Sequence, residues 1–263
     1  MRRLFVTGLA GLLGGELGVR AGAAGWEVSG SIFERPGPAG VEATRVDVRD
    51  EAAVRLALRG ADLVIHTAYR QDNESVTVEG AQVVARCAPG RLIHLSSDVI
   101  FSGALGRPLR EGDPVDPVTD YGRWKARAEE LVLAARPDAL AVRTSLIYRG
   151  DGSTRHEQLA RDPAMSFYDD ELRSPVQVGD LAAAILELAE LDLAGPLHVA
   201  GADGLSRLEF ARLVNPAAHG GPRPPGRPGD CRLDSTRAQS LLRTRLRGAR
   251  EVLSPEAGPR EPE

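Results

Sequence analysis

Tyr121 and Lys125 are the residues of this chain whose types and spacing could carry acid–base chemistry. They fall near the start of residues 118–136, where the pattern predicts a long helix, so side chains four positions apart lie on one face. Free tyrosine has a pKa of about 10 and is a sluggish acid–base group at neutral pH. A nearby ammonium favours phenolate, and we therefore expect Lys125 to lower the pKa of Tyr121. Because such a pair also arises by chance on many helices, other segments of the sequence are needed to decide whether the pair is catalytic.

A second candidate is the hydroxyl pair Ser96–Ser97, which follows the apolar run 91–95 directly. That run predicts a buried strand. A hydroxyl at the carboxyl end of a parallel strand lies where the carbonyl group of a substrate would be bound. The alternative is that both serines only cap the strand.

A glycine-rich turn, Thr7 to Gly14, stands between a short apolar run and a segment with helical spacing. Strand, glycine turn and helix in that order are the context of a dinucleotide-binding fingerprint. Gly8 allows the sharp turn, Gly11 allows backbone amides to approach a pyrophosphate, and Gly14 allows the helix to pack close on the strand. The amino end of the helix would then hold the phosphates.

Strand and helix signals alternate through the first half of the chain, which predicts βαβ units and a parallel sheet. We expect strands near 26–30, 43–46, 62–66, 91–95 and 139–143, with helices near 50–59, 74–86 and 118–136. The predicted fold class is α/β: a Rossmann-type, doubly wound parallel sheet with helices on both faces and a small C-terminal substrate-binding lobe. The predicted domains are 1–148 for dinucleotide binding, 149–253 mainly for substrate and partly interleaved with the sheet, and 254–263 as a tail.

In the second half, the pattern predicts a helix over 180–191 and a strand over 196–200. It also predicts a helix over 206–214, with Ser206 and Glu209 in capping-box register, and a Pro/Gly-rich loop over 215–230.

The composition excludes several classes of function. A net charge of -4 over 263 residues, with both signs interspersed, gives no reason to expect a nucleic acid or an anionic membrane as partner. No apolar run approaches the ~20 residues of a membrane span. The two cysteines, Cys87 and Cys231, show no metal-binding spacing, and we expect no metal site and no disulfide. The default expectation is a soluble cytoplasmic protein that is a monomer or a homodimer.

The glycine turn, Ser97 and the Tyr121/Lys125 pair occur in order on successive βα units, and here the sequence resembles the extended short-chain dehydrogenase/reductases. More narrowly, it resembles the dTDP-4-dehydrorhamnose reductase family. The matching segments span nearly the whole chain: 7–14, 95–103, 120–125, 143–148, 174–176 with 180–182, and 227–228 with 233–234.

The resemblance implies that Ser97 and Tyr121 polarise and protonate a substrate carbonyl, while Lys125 orients the nicotinamide ribose. It implies a hydride transfer from C4 of the nicotinamide to C4 of a nucleotide-linked 4-keto-6-deoxysugar. It further implies that the cofactor is bound by Gly8, Gly11, Leu12, Leu13, Gly14, Asp47, Val48 and Ala68, together with Tyr121 and Lys125. The substrate-binding residues that it implies are Ser97, Asp98, Val99 and Leu146.

The chain also departs from the family pattern, which usually has an aromatic residue at Val99, a tryptophan at Leu146 and a glycine at Arg149. Those rings belong to the sugar pocket, so the resemblance fixes the reductase chemistry more firmly than it fixes the sugar. Residues 149–166 match the family poorly.

For the cofactor, an NAD-specific site usually has an acidic residue just after the second strand. Here that strand ends in Ser29-Gly30-Ser31, and the first acid is Glu34. Ser31 and Arg35 could bind a 2′-phosphate, so the predicted cofactor is NADP(H), with NAD(H) as the alternative.

Other functions and contacts remain open from the sequence alone. A nucleotide-sugar epimerase or dehydratase with tightly bound NAD, and a non-catalytic NADP-binding regulatory subunit, are the competing functions. We expect the histidines of the predicted strands to have a structural role rather than to bind a metal. Tyr69 and Arg70 follow the fourth strand on the pocket side, and a substrate role is open for both. Further arginines could meet a substrate diphosphate or be solvated surface charges: Arg173, Arg223 and Arg227.

Overall fold

The computed structural model describes residues 2–254 of the chain. Its strands are β1 (Arg3–Thr7), β2 (Glu27–Ile32), β3 (Glu42–Arg45), β4 (Leu63–His66), β5 (Arg91–Ser97), β6 (Leu140–Thr144), β7 (Ile147–Tyr148), β8 (Ser166–Tyr168), β9 (Leu172–Arg173), β10 (Val176–Gln177), β11 (Gly195–His198), β12 (Leu205–Ser206) and β13 (His219–Gly221). Its α-helices are α1 (Leu12–Ala23), α2 (Glu51–Ala57), α3 (Glu74–Cys87), α4 (Asp120–Ala135), α5 (Arg155–Arg161), α6 (Val178–Leu188), α7 (Arg207–Val214), α8 (Thr236–Leu241) and α9 (Ala249–Leu253).

Seven strands form one parallel sheet in the order β11-β6-β5-β4-β1-β2-β3. The chain winds outward from β1 in one direction to β3 and then from β4 in the other direction to β11. The reversal falls between β1 and β4, where doubly wound sheets bind their ligands beyond the carboxyl ends of the strands. The predicted fold class is confirmed.

Helices cover the sheet on both faces because the strands are apolar on both sides. On one face α1 and α6 pack through Leu17, Leu181 and Ile185 onto the sheet. On the other face α2, α3 and α4 pack through residues such as Val84 and Val132. Burying each such aliphatic side chain contributes about 1.5–3 kcal/mol, and these two layers hold the strand ends in place.

The position of α4 is set by its own first turn. The predicted helix 118–136 begins later, at Asp120, because the Thr119 side chain accepts a hydrogen bond from the Gly122 N–H and so caps the helix. In the same way α6 begins at Val178 rather than at residue 180, since the Gln177 side chain caps it through the Asp180 N–H.

Several short elements differ from the prediction. The loop expected over 215–230 contains β13, which pairs with β8, and α5, α8 and α9 were not predicted. Strands of two or three residues carry no readable periodicity, so their pairing depends on tertiary contacts.

The polar stretch after β7 is held by one buried carboxylate. Glu157 in α5 accepts hydrogen bonds from the backbone N–H groups of Gly150 and Gly152 and shares a capping box with Thr154. This loop therefore has a fixed shape although it lacks regular structure.

The division of the chain at residue 148 does not coincide with the edge of the sheet, because β11 from the C-terminal part pairs with β6. The domain boundaries stay a prediction. Of the predicted tail, 254–263, all but Ser254 lies outside the described residues. Within residues 2–254, no helix is both long enough and apolar enough to cross a membrane.

Candidate functional site

The glycine turn has the backbone geometry that a phosphate cradle needs. Gly8 follows β1 with a φ of 72°, and a Cβ there would lie 3.0 Å from the Ala68 backbone. A Cβ on Gly14 would meet the Gly8 carbonyl oxygen. Gly11 precedes α1 and makes no side-chain cap, and no acidic side chain occupies the first turn. The N–H groups of Leu12 and Leu13 are therefore oriented beyond the turn, at the positive end of the helix.

The residues predicted to bind the adenosine half lie along the same edge, but not all of them present a free side chain. Ser31 is 3% exposed, and its hydroxyl accepts a hydrogen bond from the Gly8 N–H at 3.4 Å. Arg35 is exposed in the bend after β2. Of this predicted phosphate-binding pair, only Arg35 offers its side chain to solvent.

Asp47, Val48 and Ala68 follow β3 and β4 at this edge. The Asp47 carboxylate binds the Arg49 guanidinium at 2.6 Å, and Val48 is buried beside Ser31. The Ala68 N–H donates to Thr7 Oγ1 at 3.3 Å, which ties the ends of β4 and β1 together. Their predicted cofactor contacts stay a prediction.

Helix α4 packs tightly against the end of β5. Gly122 lies so close to the Val99 carbonyl oxygen that a Cβ would clash with it. One turn further along, the Lys125 ammonium donates a hydrogen bond to the Leu95 carbonyl oxygen at 2.5 Å. The structure thus brings the first turn of α4, which carries Tyr121, to the strand end that carries Ser97.

The pKa of Tyr121 differs from the prediction made from the sequence. Burial raises it well above its usual value, and Tyr69 and the Asp98 carboxylate raise it further. The expected lowering by Lys125 does not occur because the ammonium is directed to Leu95 rather than to the phenol. Tyr121 is therefore protonated at neutral pH, which is the form that a proton donor needs.

Lys125 is almost fully buried, and burial lowers its pKa to about 8, while Glu129 acts in the opposite direction. Glu129 is itself held by Arg143, at 2.6 Å, in a pair whose side chains are 5% and 7% exposed. The lysine therefore remains charged at neutral pH close to a buried ion pair.

Ser97 and Asp98 form a fixed polar group at the end of β5. The Ser97 hydroxyl donates to the Asp98 carboxylate at 3.2 Å and accepts from the Val99 N–H at 3.4 Å. Asp98 is 3% exposed, accepts a hydrogen bond from the Ser145 hydroxyl at 2.6 Å and lies 3.7 Å from the Arg173 guanidinium. The carboxylate orients Ser97, and direct substrate binding by Asp98 stays a prediction.

The two predicted pocket residues Val99 and Leu146 have different surroundings. Val99 is half-buried beside α4. Leu146 is 7% exposed and packs in a hydrophobic cluster with Tyr148, Leu205 and Phe210. The side chain belongs to the core of the C-terminal part, and its predicted substrate contact stays a prediction.

The arginines left open by the sequence surround two acidic residues. Glu171, 2% exposed, accepts hydrogen bonds from Arg227 at 2.7 Å and Arg173 at 3.2 Å, and Asp170 binds Arg223 at 2.7 Å. Arg173 is buried, so it is not a surface charge. Together with Asp98, which lies 3.7 Å from Arg173, three carboxylates face these three arginines.

The histidines of the central strands are buried, in agreement with a structural role. His66 and His94 stack at 5.3 Å, and the His66 ring is also bonded to the Thr7 hydroxyl at 2.6 Å. Burial, followed by the charge of Lys125, lowers the pKa of His66 to about 3. Among residues 2–254, no group of three or more His, Cys, Asp and Glu could hold a metal ion.

Sequence reasoning missed Arg207 and Ser145. Burial lowers the pKa of Arg207 to about 10, with Arg173 and Arg227 as like charges nearby. Nothing in its spacing marks Arg207 as partly buried. Ser145 could have been found, because it follows β6 directly, just as Ser97 ends β5.

The parallel sheet, the glycine turn beyond β1 and the Tyr/Lys pair beside the end of β5 are those of the short-chain dehydrogenase/reductase class. The chain belongs to the family described as RmlD substrate binding domain, which matches residues 1–254. The predicted resemblance is thereby confirmed.

Named relatives agree with this assignment. A dTDP-4-dehydrorhamnose reductase of Mycolicibacterium smegmatis is 34% identical, over 96% of this chain and 84% of the relative. A crystal structure of a hypothetical dTDP-4-dehydrorhamnose reductase from Sulfolobus tokodaii has a TM-score of 0.81 at 27% identity, covering 94% of this chain and 97% of that one. The predicted enzyme class, oxidoreductase, is confirmed by these relatives.

A third comparison concerns the fold. The dTDP-4-dehydrorhamnose reductase of Bacillus anthracis, solved in complex with NADP, has a TM-score of 0.79 at 21% identity and covers 96% of both chains.

Proposed function

We propose that the chain reduces a nucleotide-linked 4-keto-6-deoxysugar with NADPH, and that Tyr121 donates the proton. The observation that carries this proposal is the packing of α4 on β5, through Gly122 on Val99 and Lys125 on Leu95. This packing supports the proposal because it brings the first turn of α4, which carries Tyr121, and the buried Lys125 ammonium to the end of β5, which carries Ser97.

The cofactor fit is supported by the glycine turn. Gly8 and Gly14 leave room that a Cβ would fill, and α1 offers uncapped N–H groups for a pyrophosphate. When bound, NADPH supplies the hydride. A preference for the 2′-phosphate of NADPH is supported by the surroundings of Arg35. The neighbouring Glu34 carboxylate binds Arg70 at 3.0 Å, and the exposed Arg35 side chain would bind the phosphate.

The proton chemistry falls to Tyr121 and Ser97. A raised pKa keeps the phenol protonated until negative charge develops on the substrate oxygen. With substrate bound, the Ser97 O–H would exchange its hydrogen bond to Asp98 for one to the same oxygen and stabilise the charge there. Lys125, whose ammonium is held by Leu95, would orient the nicotinamide ribose.

A diphosphate-linked substrate is supported by the arginines beside Asp98. Arg173, Arg207 and Arg227 carry three positive charges beside two carboxylates, those of Glu171 and Asp98. Guanidinium groups bind phosphate oxygens in pairs, and excess positive charge favours an anionic ligand.

The test is NADPH consumption with dTDP-4-dehydro-L-rhamnose, with the product identified by mass spectrometry. The protein should consume NADPH, and Tyr121→Phe should be at least about 100-fold slower. Tyr148→Phe is the matched control, because it removes a buried hydroxyl that lies in the hydrophobic cluster with Phe210.

Equal turnover by Tyr121→Phe would refute the assigned proton donor. Tightly bound NAD that co-purifies with the protein, together with an isomerised or dehydrated sugar and no NADPH consumption, would instead identify the competing epimerase or dehydratase activity.

A further inference from the structure

Arg149 is a residue of the C-terminal part whose side chain reaches α1, the helix that begins at the glycine turn. It directly follows β7, at a position where the family pattern usually has a glycine. Its Nη1 atom lies 2.9 Å from the Glu16 carboxylate of α1. The two residues are 133 positions apart in the chain, so the fold brings them together. A glycine at position 149 could not make this contact.

The contact places the Arg149 guanidinium close to the amino end of α1. Glu16 is the fifth residue of this helix, and side chains in a helix lean toward its amino end. The Glu16 carboxylate therefore lies over the first turn, which begins with Leu12 and Leu13. Those two residues carry the N–H groups that we assign to the pyrophosphate. Arg20 binds the same carboxylate at 2.6 Å from the next turn of the helix.

The backbone that carries Arg149 is held independently of its side chain. Glu157 accepts hydrogen bonds from the N–H groups of Arg149 at 3.3 Å and Gly150 at 2.7 Å, and a third from Gly152 at 3.1 Å. The Arg149 carbonyl oxygen accepts a hydrogen bond from the Gln177 side chain at 3.0 Å. Replacing the Arg149 side chain should therefore leave the loop in place.

The Arg149 guanidinium still has donors to offer. Burial acts to raise the pKa of the Glu16 carboxyl, but hydrogen bonds from Arg20 and Arg149 lower it, so the carboxylate is charged at neutral pH. A second carboxylate, that of Asp151, lies 3.9 Å from Nε, and its side chain is 55% exposed. Among residues 2–254, no group accepts a hydrogen bond from Nη2 of Arg149. A planar guanidinium can bind two anions at once through its separate N–H groups.

We propose that Arg149 is a further cofactor-binding residue, whose guanidinium bridges the Glu16 carboxylate and the diphosphate of bound NADPH. The inference rests on the cofactor of the proposed function. It is supported by the position of the guanidinium beside the first turn of α1, by its free donors and by the fixed loop that carries it. In this position Arg149 also offsets the repulsion between Glu16 and the diphosphate, which are both anions.

The test is NADPH affinity, measured by fluorescence titration of the full chain. Arg149→Gln should weaken NADPH binding about tenfold, because a charge-assisted hydrogen bond to the diphosphate is lost. Arg149→Lys keeps the charge but not the fork of donors, so its affinity should be intermediate.

Arg20→Gln is the matched control. It removes a guanidinium from the same Glu16 carboxylate, on the side away from the glycine turn. It should change NADPH affinity by less than about threefold, because an exposed charge further from the phosphates is largely screened.

A ligand without the diphosphate locates the contact. Adenosine 2′-monophosphate keeps the adenosine and the 2′-phosphate of NADPH, and its affinity can be measured by displacement of NADPH. This affinity should be the same for the unaltered protein and for Arg149→Gln. An equal loss for both ligands would overturn the proposal, because the substitution would then have disturbed the whole cofactor site.

Glu16→Gln separates a direct contact with the diphosphate from simple neutralisation of Glu16. If Arg149 binds the diphosphate, Arg149→Gln should weaken NADPH binding at least about threefold even when Glu16→Gln is already present. If Arg149 acts only by neutralising Glu16, the two proteins that carry Glu16→Gln should bind NADPH equally, and the proposal would be wrong.

Two results with the single variants would also overturn the proposal: unaltered NADPH affinity in Arg149→Gln, or an equal loss in Arg20→Gln. If the unaltered protein does not bind NADPH, the proposed cofactor fails and the inference fails with it. If the unaltered protein binds NADPH but reduces no 4-keto sugar, the proposed reaction alone fails, and the titrations still decide the role of Arg149.

Discussion

Gly14→Ala is the substitution for which the structure predicts a measurable loss of both stability and NADPH affinity. Gly14 lies in the first turn of α1, where an added Cβ would meet the carbonyl oxygen of Gly8 and lie 2.9 Å from its carbonyl carbon. Both neighbours are backbone atoms, so no side-chain rotation relieves the clash. Helix α1 has to move away from β1 instead, and overpacking of this kind costs about 1–3 kcal/mol.

The same helix supplies a matched control. Gly22 lies near the end of α1, and nothing lies within 4 Å of a Cβ added there. Replacing a helical glycine by alanine without a clash stabilises by about 0.5–1 kcal/mol. Glycine-to-alanine substitution should therefore lower the stability of the protein at position 14 and raise it at position 22.

Two measurements decide the matter: urea unfolding for stability and NADPH fluorescence titration for affinity. Gly14→Ala should unfold at lower urea and bind NADPH at least about tenfold more weakly, a loss of about 1.4 kcal/mol, because the α1 N–H groups are displaced. Gly22→Ala should be more stable and bind NADPH normally. Wild-type affinity in Gly14→Ala would refute the assignment of the glycine turn as the phosphate cradle.

Three further outcomes follow from the buried charges and from Tyr121. Glu129→Ala leaves the Arg143 charge buried without its partner, so urea unfolding should show a loss of about 3–5 kcal/mol. Lys125 has a folded pKa of about 8, below the unfolded value of about 10.5, so its charge opposes folding below pH 8. Lys125→Met should therefore lower kcat/KM at least about 100-fold and raise the free energy of unfolding by up to about 3 kcal/mol at pH 7. The gain in stability should shrink as the pH rises from about 8 to above 10. A difference in stability that does not depend on pH would contradict this. Tyr121→Phe should keep its unfolding free energy within about 1 kcal/mol while reduction slows, and a collapse of the fold would contradict a catalytic role for the hydroxyl.

The centre of the sheet could be predicted from the sequence because β1, β4, β5 and β6 are apolar runs that alternate with segments of helical spacing. The central strands β4 and β5 fall within two residues of their predicted bounds. The paired short strands of the C-terminal part could not be predicted, since β7, β9, β10 and β12 have two residues each. Their formation depends on partners far away in the chain, which local patterns do not encode.

The candidate site was predicted in its residue types but not in its electrostatics. The spacing of Tyr121 and Lys125 places them on one face of α4, yet it does not reveal that Leu95 accepts the lysine hydrogen bond. Whether a polar side chain is free or already bonded depends on tertiary packing. For the same reason, the sequence did not show that Asp98 and Ser31, which were predicted to bind substrate and cofactor, accept hydrogen bonds from Ser145 and from the Gly8 N–H.

The most direct test of the account is the fate of hydride from NADPH deuterated at the transferring position of C4. With dTDP-4-dehydro-L-rhamnose as substrate, we predict one deuterium at C4 of the sugar for each NADPH oxidised, and a rate at least about 100-fold lower in Tyr121→Phe. A product without deuterium at C4, or equal rates for the two proteins, would contradict reduction with Tyr121 as proton donor.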